Sequence, residues 1–176
     1  MEENGPWRPS TLAPLERFEA VVQTSWCDFN GHMNMAYYVL AFDNATDVFF
    51  DHLGLTQAFR RANRASTFAA ETHVVYKREV HDGDRLLITT QLLDFDPKRI
   101  HFFHRMYHAD GSYLAAVSET LSLYMDMQTR RVGRMPAPLV EHIDSVMRAH
   151  ADLALPEDTG RVMRVPDASS RRALFV

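Results

Sequence analysis

The sequence predicts an α+β fold in which one antiparallel sheet curls around a single long helix. Three observations predict it. Residues 35–52 carry helical periodicity and are apolar on nearly every side in their first half. β-like segments precede and follow that stretch, and the separators between the later ones are too short for anything but chain reversals. With 176 residues the chain suffices for one domain with its own core.

Residues 1–15 hold Pro6, Pro9 and Pro14 with few periodic apolar positions and read as an irregular arm, with Trp7 as a candidate anchor. The domain proper spans 16–150. Residues 18–26 alternate enough, with β-branched members, to predict a first strand. The segment 28–34 then breaks it, since Asn30-Gly31 is a turn signal and Asn34 can cap a helix.

The helix over 35–52 places Asp43, Asp47 and Asp51 at four-residue spacing on one face, with Tyr38, Phe42, Ala45 and Phe49 on another. Its apolar first half predicts burial on most sides. Gly54 ends it. A short helix over 56–63 follows, and then β-like segments at 66–80, 84–95, 99–108 and 112–126. Turn chemistry at 81–84, 94–98 and 109–111 predicts that these four form a meander. A basic loop at 130–134 leads into a helix over 139–149, and residues 151–176 read as an extended tail.

Composition narrows the function. With 46% hydrophobic and 24% charged residues, the chain is that of a soluble globular protein rather than a disordered one. A net charge of -4 argues against general nucleic-acid binding, which needs a basic surface. Cys27 is the single cysteine, so no internal disulfide forms. The acidic start has no apolar signal core, and no run reaches the roughly 20 apolar residues of a membrane span. The expected location is the cytoplasm.

Nine histidines are present, yet no His-x-x-x-His or Glu-x-x-His pair lies on the long helix. His101 and His104 fall on opposite faces of a strand, so no metal site is expected. Neither a G-x-S-x-G elbow nor a phosphate-binding glycine loop occurs, which removes serine-hydrolase and nucleotide-hydrolase readings. What remains is Asp28-Phe29-Asn30-Gly31-His32-Met33-Asn34 at the mouth of the long helix. On spacing alone Asp28 is as good a turn former as a catalytic group.

That stretch, preceded by Trp26-Cys27 and followed by Tyr37-Tyr38, resembles the hotdog-fold acyl-CoA thioesterases of the 4-hydroxybenzoyl-CoA thioesterase type. Their motif is D-x-x-G-H-x-N, and Asp28, Gly31, His32 and Asn34 match it position by position. Residues 30–47 and the loop 130–138 are most similar to the betainyl-CoA thioesterases of bacterial carnitine breakdown.

The resemblance implies a hotdog fold, a long central helix wrapped by a five-stranded antiparallel sheet, that hydrolyses a small acyl-CoA. Asp28 is then base or nucleophile, and helix-start amides close to His32 and Asn34 polarise the carbonyl. Gly31 gives the substrate room, His32 bonds the thioester or orients Asp28, and Asn34 braces the loop. For a trimethylammonium acyl group the candidate contacts are Trp26, Phe29, Tyr37, Tyr38, Asp43 and Asp47. Arg130 and Arg131 are candidates for the phosphates of coenzyme A, which is part of the substrate, so no separate cofactor is expected. A homodimer or tetramer is implied, with sheets joined edge to edge. Two other readings share the fold: a dehydratase, whose catalytic histidine precedes the helix, and a non-catalytic acyl-CoA-binding module.

Overall fold

The structure, a computed structural model, describes residues 16–165. The predicted arm over 1–15 and the tail residues 166–176 lie outside the described residues. In chain order come β1 (Glu16–Val21), α1 (Met35–His52), α2 (Gln57–Asn63), β2 (Ala65–Tyr76), β3 (Arg85–Asp96), β4 (Arg99–His108), β5 (Tyr113–Asp126), β6 (Arg131–Val132) and α3 (Ala137–His150). The long helix and the strand over 99–108 have the predicted bounds. Among the described residues no helix is long and apolar enough to cross a membrane.

The sheet is antiparallel throughout, in the order β1-β3-β4-β5-β2, with the short β6 beside β5. The predicted four-strand meander is therefore corrected. β3, β4 and β5 form one, but β2 pairs with β5 along almost its whole length and makes the far edge. The turn at 81–84 is not a hairpin. It docks on β1's end instead, where Gly83 N donates to Val22 O and Val22 N donates to Asp84 O. The predicted first strand is also shorter. It stops at Val21, and Thr24–Trp26 form a 3-10 turn that redirects the chain towards the helix.

Asn34 starts α1 by accepting a hydrogen bond from Ala36 N at 3.0 Å, and Gly54, at φ +84°, ends it. Asn34→Ala is expected to destabilise the protein by about 1 kcal/mol, read from the denaturant midpoint, whereas Asn34→Asp keeps the cap. An Ala variant as stable as wild type would show that the cap is dispensable.

Tyr38, Ala41, Phe42, Ala45, Phe49 and Phe50 are buried at helical spacing against the sheet. The expectation of burial on most sides fails. Met35, Val39, Leu40 and Val48 are exposed, because the sheet covers one side of α1 and leaves the other open.

Inside, His104 is fully buried. Its Nδ1 lies 2.8 Å from Thr90 Oγ1 and its Nε2 lies 2.9 Å from Thr46 Oγ1. Thr46 already donates to Phe42 O, so it accepts from Nε2–H, and Nδ1 accepts from the Thr90 hydroxyl. This chain of bonds requires a neutral imidazole, and burial pushes the His104 pKa down to about 3. The ring also stacks on Phe42 and meets Phe102 edge-on.

α3 buries Leu139, Ile143, Val146 and His150 on one stripe over the end of α1. His150 Nδ1 accepts from Leu92 N at 2.8 Å, and its Nε2 is buried without a partner among the described residues. Burial first, then the nearby His52, lowers its pKa to about 4.

The described part of the extended tail is tied to the body. Asp158 pairs with Lys77 at 2.8 Å, Gly160 N donates to Glu119 Oε2 at 2.7 Å, and Pro156 is buried. Burial alone would raise the Asp158 carboxyl, but bonds from Lys77 and Arg161 outweigh it and hold its pKa below the usual value. The segment thus crosses the sheet face opposite α1.

Candidate active site

The loop before α1 is built from short local bonds. Asp28 N donates to His32 O and Gly31 N donates to Asp28 O, closing a tight turn. Gly31 sits at φ +81°, where L side chains are strained, and the space beyond its Cα is open. Asp28 Oδ1 accepts from Asn30 N at 2.8 Å, while Oδ2 is held only by a 3.4 Å contact with Asn30 Nδ2. Asp28 is therefore both turn former and a half-buried carboxylate with one oxygen nearly unengaged.

Two long-range bonds pin this turn to the body: Met33 N to Val80 O and Asn34 N to Trp26 O. The second occupies the Asn34 amide within the chain, which leaves other amides close to His32 and Asn34 as the donors the resemblance implies. From His32 to Tyr37, the amides of Met33, Asn34, Ala36 and Tyr37 are engaged within the chain. Those of His32 and Met35 make no hydrogen bond among the described residues. They lie at the positive end of an 18-residue helix, where an anionic oxygen is stabilised.

The His32 ring turns to Glu79, whose Oε2 is 3.3 Å from Nε2, and meets the His81 ring edge-on. No bond joins it to the Asp28 carboxylate among the described residues, so it does not orient Asp28 directly. The ligand atoms of His32, Glu79 and His81 lie within 4.8 Å of one another. Two imidazoles and a carboxylate are ligand types for a zinc-like ion. The expectation of no metal-ligand set rested on spacing along single elements. It missed this trio because the bridge between His32 and His81 assembles it from distant parts of the chain.

Beside α1 a cleft of about 480 Å³ opens between the helix and strands β2, β4 and β5. It starts at Ala36 and runs past Asp43 and Asp47 to Phe50, so both predicted aspartates line it. The predicted aromatic residues do not. Trp26 and Tyr37 stack on each other at 5.6 Å, Tyr38 is buried with its hydroxyl towards Arg78 O, and Phe29 is 97% exposed. The cleft's rings are Phe42, Phe50 and Phe102, with Ser118, Thr120 and Ser122 as a hydroxyl wall. That wall had a sequence signal, hydroxyl residues at every second position of a strand.

Arg130 and Arg131 are exposed beside the β5–β6 turn, where Met127 N bonds Arg64 O near the C-terminal end of α1. An 18-residue helix spans about 27 Å, so within one chain they stand at the opposite end from Asp28. Arg78, exposed and held over the Tyr113 ring, is the basic residue next to Glu79.

Comparison with known proteins bears on this geometry. The thioesterase-like superfamily profile matches residues 22–149. The chain is 34% identical to a betainyl-CoA thioesterase of Pseudomonas aeruginosa over 152 residues, covering 86% of this chain and 96% of that one. It is 36% identical over 154 residues to an L-carnitine dehydrogenase/betainyl-CoA thioesterase of Ruegeria pomeroyi, covering 87% of this chain but 31% of that longer protein. The fold matches a hypothetical protein of Staphylococcus aureus, solved in complex with CoA, with a TM-score of 0.80 and 27% identity over 86% of this chain and 96% of that one.

Proposed function

The chain belongs to the thioesterase-like superfamily, and from that premise we propose that it hydrolyses a small acyl-CoA, betainyl-CoA or a near relative, to the free acid and CoA. The observation that carries the reading is the placement of Asp28 in a rigid turn beside unengaged amides at the start of α1. The thioester oxygen is held by the amides of His32 and Met35, which stabilise the charge that develops on it. Asp28 attacks the carbonyl or takes a proton from the attacking water, and the thiolate of CoA departs. Gly31 leaves space for the substrate, Asn34 braces the turn, and His32 is steadied by Glu79.

Among the basic residues, Arg78 lies at the reactive end and is the candidate of this chain for a CoA phosphate. Arg130 and Arg131 reach that end only from a second copy. The 12-residue edge strand β2, with Phe68 exposed, and the exposed Met35, Val39 and Leu40 of α1 support a homodimer that covers them. The setting proposed is carnitine breakdown in the cytoplasm, in keeping with the names of the relatives.

The test is CoA release by the purified full chain from betainyl-, aromatic and fatty acyl-CoA. Turnover is expected with the first. A protein that binds acyl-CoA but releases no CoA from any of them is a binding module, and the proposal fails.

A further inference from the structure

His32, Glu79 and His81 bring two imidazoles and a carboxylate together beside the reactive turn, and one atom of each lies within 4.8 Å of the others. The backbone builds this cluster. His32 and His81 face each other across an antiparallel bridge, and the neighbouring bond from Met33 N to Val80 O fixes their register. Residues directly opposite on such a pair have Cβ atoms about 5 Å apart, close enough for both rings to reach one ion. The two rings meet with 5.0 Å between centroids, and Glu79 Oε2 comes within 3.3 Å of His32 Nε2.

An ion pair explains only part of this arrangement. A contact as exposed as that of Glu79 with His32 stabilises a fold little, and it gives His81 no role. His81 is steadied from its other side. Asp84 Oδ2 accepts a bond from His81 N at 2.7 Å and lies 3.7 Å from the ring's Nδ1. A carboxylate facing one ring nitrogen is the usual partner of a histidine that ligates through the other. Two nitrogen donors disfavour magnesium and calcium, which take oxygen, and suit zinc, which accepts three protein ligands and leaves one position to water. Glu79 and His81 are exposed, so an ion can reach them from solvent.

We propose that His32, Glu79 and His81 form a zinc site, and that the ion is a removable tie between the reactive turn and the segment 79–81. With zinc bound, three side-chain bonds add to the backbone bonds that hold the turn. Uptake of the ion needs no turnover, so its test stands apart from the thioesterase reading.

The full chain, stripped with a chelator and dialysed, is titrated with zinc chloride by calorimetry, and its thermal midpoint is followed in parallel. Wild type is expected to take up one ion per chain and to melt at a higher temperature with zinc, as a ligand of the native state requires. His81→Ala and Glu79→Gln are each expected to weaken uptake at least about tenfold and to lose the thermal shift. Cys27→Ser, which removes the single thiol, is expected to leave both unchanged. Melts without zinc check that the variants fold, and Glu79→Gln alone decides the matter if His81→Ala does not. A wild type that takes up no zinc overturns the proposal. Uptake that survives both substitutions at Glu79 and His81, or that is lost in Cys27→Ser, overturns it as well.

Discussion

Asp28→Asn is expected to lower kcat for CoA release by about a thousandfold, the range for removal of a positioned proton acceptor or nucleophile. Asn is the informative replacement because its side-chain oxygen can still accept from Asn30 N, so the turn survives and only the charge is lost. Asp28→Ala removes the turn bond as well and confounds the two effects. Hydroxylamine separates the two possible roles of the wild-type carboxylate, since a nucleophilic Asp28 passes through a mixed anhydride that hydroxylamine traps. Turnover within threefold of wild type in the Asn variant would remove Asp28 from the mechanism.

Acid destabilises the fold before carboxylates matter. Both His104 and His150 have pKa values below that of a free histidine, about 3 and about 4 against 6.5. Each is neutral in the folded protein, so above the unfolded pKa neither changes the balance. As pH falls below 6.5 the unfolded chain binds protons that the native state refuses, and stability is lost until the folded pKa is reached. At pH 5 the loss is about 2 kcal/mol for each histidine, so the two together lower stability by about 4 kcal/mol relative to pH 7.5. Denaturant titrations at the two pH values measure it. His104→Gln, which can still bond Thr46 and Thr90, is expected to halve the pH dependence although it is less stable overall. The same dependence in His104→Gln and His150→Gln as in wild type would refute this account.

The elements that were legible in the sequence are those specified locally. α1 shows its apolar period, its cap at Asn34 and its stop at Gly54 within its own residues. The Asp43 and Asp47 stripe was visible for the same reason. What was not legible depends on contacts between distant segments. Turn chemistry at 81–84 announces a reversal but not the partner of the strand before it, so β2 was assigned to the wrong neighbour. The stacking of Trp26 on Tyr37, which keeps both rings out of the cleft lining, likewise carries no signal in their spacing. Glu79 and His81 carry no motif and reach His32 only through the bridge that pins the loop.

The segment that crosses the sheet behind α1 also limits how copies can be arranged. Its ties to Lys77 and Glu119 act as a fixed band over the back of the molecule. Two protomers cannot laminate back to back there without first peeling that band away and exposing the Lys77 and Glu119 charges it satisfies.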